Sequence, residues 1–221
     1  MNFKKLQAMQ LELDNSILSA KPQMTAEERF NKTLVALSVE VAEVANCAEH
    51  FKFWKDNKGK VDEKFISTLN FRFEDEVRND KRKWKLLKDT DGLFVDTSKK
   101  YNLDNFKLLT IEQAHKLTLV EEASDCLHFI LSLANQLGLE IKNFNWKTLS
   151  DSKEQSLMLI NRDIFYLYKG FKDEKVNYEN FRFMLIGIFS YFESLSITTQ
   201  ELEQAYYEKN EENYRRLREG Y

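Results

Sequence analysis

Leu34-Val-Ala-Leu-Ser-Val-Glu-Val-Ala-Glu-Val-Ala-Asn-Cys-Ala48 is the stretch on which the reading of this chain turns. Wound as a helix, it presents apolar side chains in nearly every direction, the pattern of a buried element. The exceptions are Glu40, Glu43 and Asn46, spaced by three, so they share one line along the cylinder. Two carboxylates on a buried helix repel each other and lose hydration. They must be paired, protonated or bound to a cation. Most Glu-x-x-Glu pairs on helices are simply solvated, and only the apolar surroundings set this one apart.

The pattern returns downstream. Leu117 to Leu133 reads Leu-Thr-Leu-Val-Glu-Glu-Ala-Ser-Asp-Cys-Leu-His-Phe-Ile-Leu-Ser-Leu, with Glu121, Glu122, Asp125, His128 and Ser132 on one side and apolar residues on the rest. Glu122 and Asp125 again stand three apart. Two such helices face to face would gather four carboxylates around one small volume. Ligation by oxygen alone suits Mg²⁺, a hard ion that binds through carboxylates together with substrate phosphates. The lack of paired His or Cys ligands argues against zinc.

The rest of the chain supports an all-helical reading. It has six Gly and one Pro in 221 residues, and no two glycines come closer than the 17 positions between Gly170 and Gly187. Sheets and barrels need more turn residues than that, and phosphate loops need clustered glycines. Periodicity predicts helices over Phe3–Leu18, from a Thr25/Glu28 capping box to about Lys55, and over Thr110–Leu137 with Gly138 as C-cap. Further helices are expected over Lys153–Tyr168 (stopped by Gly170), over Tyr178–Ser194, and from a Thr198/Glu201 cap to Glu219. Residues 56–115 are less regular and carry a charged insert whose basic run, Arg78 to Lys88, reads best as solvated surface. No repeat or low-complexity linker interrupts the chain, so a single domain over 1–221 is expected.

Charge and cysteine narrow the class. A net charge of −3 argues against broad binding to nucleic acid or a membrane surface. Two cysteines, Cys47 and Cys126, form no disulfide framework and suit a reducing cytoplasm as core residues. His50 and His115 read as surface residues. The N-terminal stretch Met1 to Leu18 is amphipathic rather than a signal core, and no run approaches the length of a membrane span.

On the last helix Lys209, Asn213 and Arg216 are spaced i, i+4, i+7, so one face carries two cations and an amide. That is a phosphate-binding set. It is equally what a solvated helix end looks like when late arginines complement the helix dipole.

Taken together, these stretches resemble the dimeric all-α dUTPases, within the wider MazG-like all-α nucleoside triphosphate pyrophosphatases. Met9-Gln-Leu-Glu-Leu-Asp-Asn15 is similar to the first family motif. Glu40-Val-Ala-Glu-Val-Ala-Asn46 with Phe51-Lys-Phe-Trp-Lys55 is similar to the second, and Glu122 to Leu133 to the third. Tyr206 to Arg216 with Gly220-Tyr221 is similar to the last. The resemblance implies a multi-helix bundle, a homodimer, and Glu40, Glu43, Glu122 and Asp125 as ligands of Mg²⁺, two or more ions per site. It makes Lys209, Asn213 and Arg216 phosphate contacts and Gln10 and Asp14 nucleoside contacts, with Trp54 near the base. The implied reaction converts dUTP, and dUDP as a further substrate, to dUMP by attack of water on the α-phosphorus. Glu40 and Glu43 stand closest to that chemistry, with Glu43 orienting or deprotonating the water. Another nucleotide substrate, or a helical adaptor that has lost activity, are the alternatives. Asp14 in place of an Asn, and the 78 residues between Glu43 and Glu122, depart from the family pattern.

Overall fold

The computed structural model describes residues 1–21, 23–56, 59–62, 112–142, 152–173, 175 and 178–220 in full, and 84–86, 94–96 and 111 as backbone. Its elements are α1 (Phe3–Ala20), α2 (Ala26–Ala48), β1 (Trp84–Leu86), β2 (Phe94–Asp96), α3 (Ile111–Gln136), α4 (Lys153–Lys172), α5 (Tyr178–Ser194) and α6 (Thr199–Arg218). The chain divides into two compact units, Met1–Lys58 with Leu119–Tyr221, and Gly59–Thr118. The first is an all-α helical bundle.

Within the bundle, each helix is set by local signals and by one buried stripe. Asn2 caps α1 by accepting from the Lys5 amide, and its buried residues Phe3, Leu6, Gln10, Leu13 and Asp14 follow helical spacing. The helix ends where Lys21 turns extended, as expected of a residue before proline. The Thr25/Glu28 capping box forms in both directions, at 3.1 and 2.8 Å. Past α3, Leu139 N–H donates to the Ala134 carbonyl and Gly138 N–H to that of Asn135, with Gly138 at φ 65°. That is a Schellman ending, for which a side chain would be strained.

Three expectations are corrected. Helix α2 stops at Ala48 rather than near Lys55, because Glu49 turns left-handed at φ 54°. Its buried carboxylate is held by Lys52 at 2.9 Å and by Lys55, so Phe51 to Lys55 fold back instead of extending the helix. Helix α4 runs through Gly170, and the extra turn lays Phe171 on the ring of Phe30, 3.9 Å between centroids. Helix α2 is not enclosed all round either. Leu34, Leu37, Val41 and Val44 are buried, while Val35 is 64% and Val39 49% exposed.

The core is one cluster shared by the bundle helices, including Leu37 and Val44 of α2, Leu127 and Ile130 of α3, Ile160 of α4 and Phe181 and Ile188 of α5. Cys47 and Cys126 are buried and form no disulfide, as expected of core residues. His50 is not a simple surface residue. Its ring is 10% exposed and bonds the Tyr191 hydroxyl at 2.9 Å and Glu154 at 2.7 Å, tying the end of α2 to α4 and α5.

In the unit Gly59–Thr118, β1 and β2 pair antiparallel with Trp84 opposite Asp96. His115 Nδ1 lies 2.6 Å from the Lys60 carbonyl, its ring against Gly59, so it too is engaged. The rest of the charged insert, including most of the 78–88 run, lies outside the described residues, as does Tyr221. No described helix is long and apolar enough to cross a membrane.

At Gly187 the backbone of α5 packs closely on α4. A Cβ there would stand 3.3 Å from Ile160 Cγ1. Gly187→Leu should therefore overpack the α4–α5 seam and cost about 2 kcal/mol of stability, read as a lowered midpoint in urea unfolding with secondary structure retained. An unchanged midpoint would contradict the packing described.

Candidate active site

Four helices each contribute one stripe to a single cavity of about 590 Å³. From α1 come Gln10, Asp14 and Ile17; from α2, Arg29, Thr33, Ala36 and Glu40; from α3, Asp125, His128, Phe129 and Ser132; from α6, Lys209, Asn213 and Arg216. Every set follows three- and four-residue steps, so regular winding alone aligns the side chains. The volume falls within the roughly 300–1,000 Å³ of small-molecule sites.

One end is acidic. Glu40, Glu122 and Asp125 each offer a carboxylate oxygen within 4.8 Å of the others. Burial, followed by repulsion from Asp125, Glu43 and Glu122, pushes the Glu40 carboxyl up to about 7. Burial and repulsion from Glu43 and Asp125 do the same to Glu122, also to about 7. Burial raises Asp125 too, although Lys209 opposes it. Glu43 stands apart: its side chain is exposed, and it acts on Glu40 and Glu122 through its charge.

Lys209 reaches in from α6, donating to Asp125 at 2.7 Å and approaching Glu121 at 3.7 Å. Burial works against its charge, but Asp125 more than compensates and its pKa is raised. Asn213 and Arg216 line the same wall, with Arg216 Nε donating to Glu212 at 2.9 Å. Thus the basic face expected on the last helix turns toward the cavity rather than only to solvent. An acidic cluster of oxygen donors beside cations is the donor set that a hard divalent ion and a polyphosphate share.

The other end is a hydrogen-bonded floor. Gln10 Nε2 donates to Asp14 Oδ1 at 2.7 Å. Asp14 Oδ2 accepts from Arg29 at 2.9 Å and Ser132 at 2.7 Å. Gln10 Oε1 faces His128 Nδ1 at 2.7 Å and the Tyr206 hydroxyl at 3.1 Å. Burial holds His128 neutral, with its pKa down near 3. Arg29 was not singled out in the sequence, yet the signal was there: Arg29, Thr33, Ala36 and Glu40 step by four, three and four along α2.

Trp54 is not among the cavity residues. It is 66% exposed and packs edge-on to Phe51 and Phe53, so nothing in its placement supports contact with a base.

Fold and cavity together define an all-α bundle with a small-molecule-sized pocket that is acidic on one side and cationic on another. The chain belongs to the dUTPase family, whose model matches residues 2–71 and 67–221. No curated protein and no solved structure matches it significantly. The family's chemistry uses a divalent metal, and the Glu40, Glu122 and Asp125 oxygens fit one.

The raised carboxyls carry a stability consequence. Groups whose folded pKa lies above the unfolded value stabilise the fold below the unfolded pKa, and that contribution is lost as pH rises through the folded one. In a chelator, the melting temperature should therefore fall as pH climbs from 4.5 past about 7. Glu40→Gln and Glu122→Gln should each flatten the fall. Identical slopes in wild type and variants would contradict the placement of these carboxyls.

Proposed function

We propose that the protein is a Mg²⁺-dependent dUTP pyrophosphatase, converting dUTP, and dUDP as a further substrate, to deoxyuridine monophosphate. The observation that carries the reading is the juxtaposition, in one cavity, of Glu40 and Asp125 with Lys209, Asn213 and Arg216, the Glu122 oxygen lying within 4.8 Å of the two carboxylates. When bound, the metal supplies Lewis acidity toward the phosphates and toward a water. Glu40, Glu43, Glu122 and Asp125 hold the ions, Glu43 by reaching in from its exposed position. Glu43 is also assigned the water, which it orients or deprotonates for in-line attack on the α-phosphorus. Its exposure favours this role, because the water must enter from solvent.

Lys209 and Arg216 offset charge on the triphosphate as it moves to the leaving group, and Asn213 donates to a phosphate oxygen. Breaking the Lys209–Asp125 pair frees both for these tasks. At the opposite end Gln10 and Asp14 receive the nucleoside, with Ile17 and Phe129 as apolar walls. The buried cysteines, which form no disulfide, accord with a cytoplasmic location.

Hydrolysis of a nucleotide panel tests this directly. The dUTP should be turned over at least about a hundredfold faster than dTTP or dCTP, in proportion to hydrogen bonds that the wrong base leaves unmade. Turnover should require Mg²⁺. Glu40→Gln or Asp125→Asn should abolish it while circular dichroism stays helical. Full activity in both variants would refute the metal assignment, and equal rates across the panel would refute the substrate.

The same reading includes a two-fold homodimer. Val35 and Val39 on α2, Phe53 and Trp54 beyond it, Phe165 on α4 and Phe183 on α5 are all exposed large apolar residues. Where such residues join into a patch, a partner normally covers it. Light scattering should give twice the 26.3 kDa of one chain. A single-chain mass at every concentration would contradict the dimer.

A further inference from the structure

Gln10 sits on the cavity floor with an unusual restriction on its side-chain amide. A free glutamine amide can flip, offering a ligand either its oxygen or its hydrogens. Here each side is committed. Asp14 is ion-paired to Arg29 and accepts from Ser132, so it is a carboxylate with no proton to give, and the group 2.7 Å from its Oδ1 must be the Gln10 NH₂. The opposite side of the amide, its oxygen, meets His128 Nδ1 at 2.7 Å, which must therefore carry the ring proton, and accepts from the Tyr206 hydroxyl at 3.1 Å. Both are buried, and their rings stack at 4.2 Å, so neither can swing away. The hydroxyl also reaches the Leu6 carbonyl at 3.3 Å, back toward the same helix.

A flipped amide would point NH₂ at His128 Nδ1–H and oxygen at the Asp14 carboxylate, and would force the Tyr206 hydroxyl to turn its proton wholly to the Leu6 carbonyl. Such an inversion replaces good hydrogen bonds to Asp14 and His128 with two repulsions among buried groups. What remains available to a ligand is the second Nε2 hydrogen, and the amide is thus a donor only.

We propose that His128 and Tyr206 are positioning residues that fix the polarity of the Gln10 amide, so that the cavity floor donates to a base carbonyl and rejects an amino group in its place. The inference rests on the dUTP reading above and adds how uracil is told from cytosine. Uracil and cytosine differ along one edge, by a carbonyl against an amino group and by the proton on the adjacent ring nitrogen. A freely flipping amide would serve both. A locked one meets the cytosine amino group hydrogen to hydrogen.

The test compares kcat/KM for dUTP and dCTP in wild type, Tyr206→Phe, His128→Phe and the double variant, each of which keeps the stacked rings. Removing both donors leaves Asp14 alone to hold the amide, so turning its oxygen toward a cytosine amino group costs less. The dUTP preference should then fall by about tenfold or more, chiefly through a lower KM for dCTP, with a partial fall in each single variant. A merely structural lesion would depress kcat for both nucleotides and leave the ratio in place. An unchanged ratio in a folded double variant overturns the proposal. A wild type that hydrolyses neither nucleotide overturns the substrate reading, and this inference with it.

A second measurement needs neither activity nor a foldable variant. Nitrogen-15 NMR of the wild-type imidazoles, of which the chain has three, should find His128 neutral with its proton on Nδ1. A proton on Nε2, or an imidazolium at neutral pH, would overturn the lock.

Discussion

Like charges brought close on two packed helices govern this molecule. Glu40 on α2 and Glu122 and Asp125 on α3 place oxygens within 4.8 Å of one another, where unrelieved repulsion would push the helices apart. Three remedies are available. Protons can neutralise the cluster, as the carboxyls raised to about 7 indicate. Lys209 can offset it from α6, or a divalent cation can replace both. Because the apolar faces of α2 and α3 bind these helices into the core, the repulsion is held rather than dissipated, and the site is poised to take up positive charge.

The second half of the cavity is built on the opposite principle. Around Gln10 and Asp14 most polar groups are paired, the buried His128 Nε2 and the second Gln10 Nε2 hydrogen being left over, and the network joins four helices: Arg29 from α2, His128 and Ser132 from α3, and Tyr206 from α6 converge on α1. A strained acidic end for charge and a satisfied polar end for recognition suit one elongated ligand with a phosphate tail and a hydrogen-bonding head. The side chains that make both ends lie on regular helices, so their positions are as rigid as the helices themselves.

Much of this was legible in the chain because helical periodicity is a local property. The Glu40/Glu43 and Glu122/Asp125 steps, the Thr25 and Thr198 caps and the span of α5 follow from spacing and capping chemistry alone. Tertiary contacts decided what spacing could not. Helix α2 ends early because Glu49 finds Lys52 and Lys55, and α4 outlasts Gly170 because Phe171 finds Phe30. The exposed Val35/Val39 flank looked buried because composition cannot say which side of an apolar helix lacks a neighbour. His50 looked superficial because its partners Tyr191 and Glu154 are far away in sequence. Arg29 was hidden in a capping segment, where a charged residue attracts no notice until Asp14 is seen beside it.

Proton release on metal binding bears most directly on the central claim, that the carboxylate cluster is built to take a divalent cation. Calorimetric titration of the protein with Mn²⁺ near pH 6.5, in two buffers of different ionisation enthalpy, counts the protons expelled. With Glu40 and Glu122 both raised to about 7, binding should release on the order of one proton per site, fewer at pH 8, and Glu122→Gln should reduce the release. Absence of binding, or binding with heats that do not depend on the buffer, would contradict the account.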